Sequence, residues 1–244
     1  MMNPIRSVSA ADIYDELDPN EIDRMMPIAP QVYAILRQRI VDNRLQPGAP
    51  IGENTLALRL NISRTPLRAA LQQLAKEGMI VTRPQVGSVV AQLDGARLEE
   101  AVVMRAALEA AVVRRLAERG FREQLLTQSF AEQEIAAEAD DYATFFSHDE
   151  TFHAKLAELA GLPNVWAAIQ SVKGHVDRQR YKMMAGIPFR SRRAFRDHKE
   201  IVRLILAGDA DGAEQAMRAH VNSVLEMNPN AARENDEIQK GEKT

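Results

Sequence analysis

Residues 53–90 read ENTLALRLNISRTPLRAALQQLAKEGMIVTRPQVGSVV, and this stretch decides the fold. Two short helical patterns are joined by a tight turn, in which Asn61 tolerates a left-handed backbone and Ser63 suits a helix N-cap. The second pattern has Pro66 in its first turn and Gly78 as its C-cap, with apolar residues at helical spacing between them. The two β-rich segments that follow around a loop are 79–82 and 88–91. This order predicts a winged helix-turn-helix.

The start of the second helix carries candidate DNA contacts. Arg64, Thr65 and Arg68 lie where a helix presents free N–H groups to phosphate, and an Arg there can form a bidentate pair with guanine. In the wing, Gly87 allows close approach to the sugar-phosphate backbone, and Arg83 can reach the minor groove or a phosphate. The alternative is that these arginines are solvated side chains on a helix-turn-helix used only for packing.

The charge distribution supports a DNA-binding module. The chain of 244 residues has a formal net charge of −3. Residues 30–93, however, carry eight basic and three acidic side chains, which leaves the rest of the chain with a charge of −8. A basic module attached to an acidic body is typical of a DNA-binding head on a body with another role.

The composition also bounds the compartment. The chain has no Cys, no apolar run that approaches 18 residues and no apolar core in its first 20 residues. These features argue against a disulfide framework, a transmembrane helix and a secretory signal. We therefore expect a cytoplasmic protein without a membrane segment.

The periodicity divides the chain into four parts and predicts a mostly α-helical protein. We expect a mobile N-terminal extension over 1–29, the winged helix-turn-helix over 30–93, an all-helical domain over 95–227 and a disordered tail over 228–244. Short connections between the helices of the third part predict an antiparallel bundle. Its six candidate helices are Ala96–Arg119, Arg122–Ala139, Tyr142–Ala160, Asn164–Ala185, Ser191–Ala207 and Ala210–Met227.

Polar residues interrupt the apolar stripes of three bundle helices. Asp149 and His153 are four residues apart and share a helix face, while His198 and His220 each lie within an apolar stripe of a later helix. Buried polar groups are costly unless they are satisfied. One carboxylate and three imidazoles that converge would suit Zn²⁺, Ni²⁺ or Mn²⁺. The residues alone leave a second interpretation open, in which each imidazole is a hydrogen-bonded core side chain.

Arg105 is a further charged residue in an apolar stripe, and Glu109 is its neighbour one turn later. An unpaired buried Arg would be strongly unfavourable. Arg105 could therefore form a structural pair with Glu109, or it could clamp a carboxylate ligand whose oxygens also reach the metal. Asn222 and Ser223, close to His220 in sequence, are further candidates for the same pocket.

These motifs resemble a known family. Residues 56–80 (LALRLNISRTPLRAALQQLAKEGMI) and 83–91 (RPQVGSVVA) resemble the helix-turn-helix and wing of the GntR family of bacterial transcription regulators. The resemblance implies that Arg64, Thr65 and Arg68 contact operator DNA and that the wing near Gly87 enters the minor groove. The chain has Asn54 at a place near the start of the preceding helix where the family often has a DNA-contacting Arg.

The bundle resembles the FCD ligand-binding domain of the FadR subfamily over residues 96–227. Metal-binding members of that subfamily use an Asp-x-x-x-His on one helix and one His on each of two later helices. The four candidate ligands match this pattern, which argues against the acyl-CoA-binding branch. The family's R-x-x-L-E motif, whose Arg commonly faces the ligand, matches Arg105 to Glu109.

Together these observations predict a homodimeric transcription regulator that acts as a repressor. A small organic acid bound at the metal and Arg105 would control its affinity for double-stranded operator DNA. The sequence contains no H-E-x-x-H, nucleophile elbow or Gly-rich phosphate loop, so we do not expect an enzyme. The alternatives are a metal-dependent hydrolase with a DNA-binding appendage and a regulator whose metal is purely structural.

Overall fold

The computed structural model describes residues 17–83, 87–184 and 189–225, and the chain divides into two compact units between Leu93 and Asp94. Three of the predictions above fall on residues outside these ranges. They concern the first 16 residues of the extension, the wing tip at 84–86 and the tail at 228–244.

The N-terminal unit is a winged helix-turn-helix, and the mostly helical fold predicted for the chain is confirmed. Its elements are a 3-10 helix at Pro19–Glu21, α1 (Ile28–Val41), β1 (Pro50–Ile51), α2 (Glu53–Arg59), α3 (Arg64–Lys76), β2 (Ile80–Arg83) and β3 (Gly87–Val90). The three strands form an antiparallel sheet in the order β1-β3-β2. Strand β1 was not predicted, because two residues are too few to show the alternation of a strand.

Local signals placed the turn correctly. Asn61 has a φ of 49° and Gly78 a φ of 70°, as the turn and the helix end require. Ser63 precedes α3 in an extended conformation, but its side chain makes no capping hydrogen bond. Leu58, which belongs to the apolar pattern of α2, is 82% exposed.

The described end of the N-terminal extension packs against the helix-turn-helix. Leu17 and Ile22 are buried. Arg24 donates hydrogen bonds to the carbonyl oxygens of Asn61 at 2.7 Å and Leu60 at 3.3 Å, which lie in the turn before α3. The segment therefore braces the turn that positions α3, although we expected it to form part of a mobile extension.

The C-terminal unit is entirely helical within its described residues. Its helices are α4 (Gly95–Arg119), α5 (Thr127–Glu138), α6 (Tyr142–Leu159), α7 (Pro163–Val172), α8 (Gly174–Met184), α9 (Arg190–Leu206) and α10 (Ala210–Asn222), and a 3-10 turn at Glu123–Leu126 precedes α5. We predicted one helix over 164–185, but it divides at Lys173, where the following Gly weakens helix continuation. None of the described helices is long and apolar enough to cross a membrane.

The core of this unit places polar side chains within an apolar frame. Helix α4 packs along α10 and α9, and α6 packs against α4 and α5. The buried face of α4 is apolar at both ends, around Leu98 and Val113, and contains Arg105 and Glu109 in its middle. Helix α4 thus carries two oppositely charged side chains into the buried core of this unit.

Candidate metal centre and nucleic-acid interface

The four candidate ligands converge in the structure. Asp149 and His153 lie one turn apart on α6, His198 lies on α9 and His220 on α10. Each offers one ligand atom, and these four atoms lie within 4.8 Å of one another. All four side chains are buried. The sequence spacing therefore predicted a cluster that the fold assembles.

A hydrogen bond fixes the orientation of His198. Its Nδ1 lies 2.6 Å from Oε1 of Gln133, a buried residue of α5. The amide nitrogen of Gln133 donates to Ser129, so the oxygen is the atom that faces the imidazole. The Nδ1–H of His198 is then the donor, and its Nε2 carries a lone pair directed at the cluster.

Carboxylates lie beside the other two imidazoles. Nδ1 of His220 donates to Asp197 at 3.3 Å, and Nδ1 of His153 contacts Glu109. Since a carboxylate can only accept, the Nε2 atom of His220 is left unprotonated. Nε2 of His153 has no hydrogen-bond partner among the described residues, although it is buried.

The donor set fits a cation. Nε2 of His198 and Nε2 of His220 lie 3.2 Å apart, and both lone pairs face the same space. Oδ1 of Asp149 lies 3.5 Å from Nε2 of His198 and 4.0 Å from that of His153. Such a contact between lone pairs is unfavourable without a positive charge between them. Three nitrogens and one carboxylate oxygen suit a divalent transition metal.

Burial favours the neutral form of two of the imidazoles, and Arg180 keeps the carboxylate charged. Desolvation lowers the pKa of His198 well below its ordinary value and also lowers the pKa of His220. Burial alone would raise the pKa of Asp149, but the guanidinium of Arg180 outweighs it and holds this pKa well below the usual range. Neutral imidazoles and an ionised carboxylate are the forms that bind metals.

Arg180 of α8 is the fixed partner of Asp149. Its two terminal nitrogens reach the two carboxylate oxygens at 2.8 Å and 3.1 Å, and both side chains are buried. This is a bidentate pair, which fixes the carboxylate in orientation as well as in charge. Arg180 was not among the site residues predicted from the sequence.

Arg105 forms the structural pair that its sequence allowed and keeps one donor atom without a partner among the described residues. Its Nε lies 2.5 Å from Oε1 of Glu109, so the structural pair is present. Its Nη2 is buried and has no hydrogen-bond partner among the described residues. Burial would lower the pKa of Arg105, but the charge of Glu109 outweighs it and raises this pKa, so the guanidinium stays charged.

A cavity opens beside the cluster. The charged and hydroxyl-bearing residues that line it, together with one ligand imidazole, are Arg105, Tyr142, Arg180, Arg190, Ser191, Asp197, Ser223 and His220. The cavity has about 380 Å³ of space between its atoms, but the lining side chains lie so close together that it holds roughly one water molecule. Asn222, the other pocket candidate, is exposed and does not line it.

The predicted recognition helix, α3, has basic residues at its solvent-exposed N-terminal end. Arg64, Thr65 and Arg68 are exposed at the N-terminal end of α3. Nε of Arg68 lies 2.8 Å from Oε2 of Glu53 at the start of α2. Gly87 is exposed with a φ of 88°, and the space around it is open. The side chain of Arg83 lies outside the described residues. Asn54, which stands where the family often has a DNA-contacting Arg, is exposed.

Comparison with known proteins identifies both units. Residues 28–90 match the model of the bacterial regulatory proteins of the gntR family, and residues 100–223 match the FCD domain. The chain belongs to the GntR family. The predicted family is therefore confirmed, and the protein is a GntR-family transcriptional regulator with an FCD domain.

Relatives agree with this assignment over most of their length. The HTH-type transcriptional repressor RspR of Escherichia coli K12 is 33% identical over 219 residues, which cover 89% of this chain and 96% of that protein. A probable D-xylose utilization operon transcriptional repressor of Paenarthrobacter nicotinovorans is 33% identical over 203 residues, 81% of this chain and 87% of that protein. The solved structure of E. coli McbR/YncC shares the fold, with a TM-score of 0.70 at 20% identity over 81% of this chain and 94% of that one.

Some side chains around the cluster of this GntR-family regulator carried no usable sequence signal. Arg180 belongs to a helix whose sequence is mostly polar, and Arg190 lies at the start of a strongly basic one. Gln133 could have been found, because it lies between Phe130 and Ala137 at helical spacing, as the ligand imidazoles do in their own stripes. Asp197 adjoins a ligand in sequence, but its contact is made across two helices.

Proposed function

We propose that this GntR-family regulator is a homodimeric repressor whose operator affinity responds to a small carboxylate bound beside a divalent metal ion. The observation that carries the proposal is the convergence of three imidazole Nε2 atoms and one carboxylate oxygen in a buried place. Two of the imidazoles, those of His198 and His220, are also anchored by a hydrogen bond through Nδ1, and Nδ1 of His153 lies against Glu109. A core that needed only packing would not hold three lone pairs toward one point.

The metal would be held by Asp149, His153, His198 and His220 and would be Zn²⁺, Ni²⁺ or Mn²⁺. When bound, such an ion supplies a Lewis-acid centre that attracts carboxylate oxygens. Gln133 and Asp197 keep the imidazoles of His198 and His220 in the ligating tautomer.

Arg105 is the residue we assign to the carboxylate of the effector. Its Nη2 is buried without a partner and the side chain lines the cavity, so a carboxylate there would satisfy a donor that is otherwise costly. Ser223, which also lines the cavity, already donates to the carbonyl oxygen of His220 and accepts from Arg190. It is therefore a support for the site rather than an open donor.

The chain provides a route from this site to the DNA-binding unit. Arg105 lies on α4, and α4 begins two residues after Leu93, where the winged helix-turn-helix ends. The metal ligands lie on α6, α9 and α10, all of which contact α4. An effector that binds both sets of groups favours one packing of α4, and a difference in operator affinity between two packings is allostery.

DNA recognition is assigned to the start of α3 and to the wing. Arg64 and Thr65 are exposed there, and Arg68 would exchange its ion pair with Glu53 for a contact with DNA. The wing at Arg83 and Gly87 would lie in the minor groove. Two copies of this reader on a homodimer would bind two half-sites. Support for a homodimer comes from exposed apolar side chains on α4, of which Val103 is 61% exposed.

The test begins with operator fragments selected from random duplexes. Fluorescence anisotropy then measures their affinity for chelated and metal-loaded protein, with and without a panel of carboxylic acids. We expect at least one acid to weaken binding by about 5- to 150-fold in the metal-loaded protein only. His220→Ala should abolish the response, whereas His148→Ala should retain it, because His148 pairs with Glu132 away from the cluster.

Each part of the proposal has its own contrary result. If chelation lowers the melting temperature but no acid changes operator affinity, the metal is purely structural. If the protein binds no metal, the assignment of the cluster fails. Sedimentation of a single chain mass at micromolar concentration would contradict the homodimer, and an unchanged operator affinity in Arg64→Ala would contradict the DNA contacts.

A further inference from the structure

The cavity beside the cluster has more positive groups than one carboxylate needs. Three guanidinium groups line it, and the proposed function uses one of them, Arg105. Glu109 balances Arg105 and Asp149 balances Arg180. Arg190 is held by the neutral hydroxyl of a serine at 3.1 Å. The positive charge without a carboxylate partner is therefore that of Arg190, at the start of α9.

Arg190 is unfavourably placed without an anion. Burial, and then the nearby charges of Arg193 and Arg180, lower the pKa of Arg190 from its ordinary value. Its surroundings therefore disfavour the charged form, although a guanidinium remains charged at neutral pH. A negative group in the cavity would remove this cost.

A second donor without a partner lies next to it in sequence. The hydroxyl of Ser191 is buried, lines the same cavity and has no hydrogen-bond partner among the described residues. Nη2 of Arg105 is in the same condition. Buried donors are satisfied in the great majority of cases, so two without partners along one cavity point to a ligand with acceptors at both places.

Charge counting gives the class of that ligand. Around the cavity and the cluster there are three guanidinium groups and three carboxylates, those of Glu109, Asp149 and Asp197. A divalent metal ion raises the sum to a net charge of +2. A ligand with one carboxylate leaves half of this charge buried without compensation, whereas a ligand with two carboxylates cancels it.

We infer that Arg190 and Ser191 form a second subsite, which binds the distal carboxylate of a dicarboxylate effector. Arg105 and the metal hold the proximal carboxylate, so the inference rests on the proposed function and adds the class of effector. The cavity holds roughly one water molecule as it stands, so its walls must part when the ligand enters. Among the lining guanidinium groups in the described ranges, Arg190 is the one whose hydrogen-bond partner is a neutral group, whereas Arg105 and Arg180 each bind a carboxylate.

The experiment compares acids that differ only at the distal end. Metal-loaded full-length protein is titrated in a calorimeter with succinate and butyrate, with malate and 2-hydroxybutyrate, and with 2-oxoglutarate and 2-oxopentanoate. We expect at least one dicarboxylate to bind about 10- to 100-fold more tightly than its monocarboxylate partner, the range that a charge-assisted contact supplies. Equal affinities within every pair that binds would overturn the inference while leaving the proposed function intact.

Variants then assign the preference to the subsite. Arg190→Met should lower the affinity for the dicarboxylate by about tenfold or more and leave that for the monocarboxylate unchanged. Ser191→Ala should act in the same direction without loss of melting temperature, since it removes a hydroxyl that has no partner. Arg196→Met is the matched control on the exposed side of α9 and should keep the preference.

The two possible failures are distinguishable. An Arg190→Met protein that weakens both members of a pair equally would show that Arg190 only supports the fold, and the second subsite would be refuted. If none of the six acids binds metal-loaded protein or changes operator affinity, the effector role itself fails, and the inference fails with it.

Discussion

Replacing Arg180 by Met tests the electrostatic design of the cluster most directly. The change removes both hydrogen bonds to Asp149, a carboxylate with no exposed surface. The imidazoles of His198 at 3.5 Å and His153 at 4.0 Å then remain as its nearest neighbours in the cluster. Since one partner of a buried pair is lost, we expect the free energy of unfolding of metal-free protein to fall by about 3–5 kcal/mol.

The assay is urea unfolding in the presence of a chelator. The chain has a single Trp, Trp166, and it lies on α7, so its fluorescence follows the C-terminal unit. With a denaturant slope of about 2 kcal/mol per molar, the expected loss moves the midpoint by roughly 1.5–2.5 M. Arg203→Met is the control, because Arg203 pairs with Glu200 on the surface and its loss should leave the midpoint nearly unchanged.

A double variant separates lost charge balance from lost packing. Asp149→Asn combined with Arg180→Met leaves no buried charge without its partner, so it should recover much of the stability lost in the single variant. The reasoning is refuted if Arg180→Met is as stable as Arg203→Met. It is also refuted if adding Asp149→Asn to Arg180→Met lowers the free energy of unfolding as much as Asp149→Asn lowers it in the wild-type protein.

Three further predictions concern side chains that anchor the helices. Gln133→Leu removes the acceptor of one ligand imidazole, so metal affinity in a chelator-competition titration should fall about 10- to 100-fold, whereas exposed Gln128→Leu should leave it unchanged. Arg24→Ala leaves two carbonyl groups of the helix-turn-helix turn without their donor, and urea unfolding of the N-terminal unit should show a loss of about 1–2 kcal/mol. Burial, together with a hydrogen bond to Glu77, raises the pKa of Tyr33 to about 12. The hydroxyl of Tyr33 thus stays protonated to a higher pH in the folded protein than in the unfolded chain. The free energy of unfolding should therefore fall as the pH rises from about 10 to 12, and it should fall less in Tyr33→Phe.

Each of these has a clear contrary outcome. Unchanged metal affinity in Gln133→Leu would show that the imidazole needs no anchor. A wild-type unfolding curve for Arg24→Ala would mean that the N-terminal segment does not brace the turn. Identical losses of stability at high pH in wild type and Tyr33→Phe would assign the loss to other groups.

The DNA-binding unit could be predicted closely because its signals are local. A left-handed Asn61, a Pro in the first turn of α3 and Gly78 at its end each restrict the backbone where they stand. The short strand β1 was missed, because its pairing with β3 comes from the sheet and not from two residues of sequence.

The cluster could be predicted in part, for a different reason. Imidazoles inside apolar stripes are visible in a sequence, so the ligands were found together with Arg105. Burial of Arg180 and Lys173 follows instead from how α8 packs against α4 and α7, and nothing in its polar pattern indicates that packing. For the same reason we predicted one helix where α7 and α8 are separate.

The ion pair between Arg68 and Glu53 bears on how the regulator searches a genome. An exposed pair of this kind is worth about 0–1 kcal/mol, so it is easily exchanged. A lone phosphate offers Arg68 little that the carboxylate does not already provide, whereas guanine offers two acceptors in the plane of the guanidinium. Glu53 would thus weaken binding to non-operator DNA more than binding to the operator. The ion pair would favour sequence specificity at the expense of overall affinity for DNA.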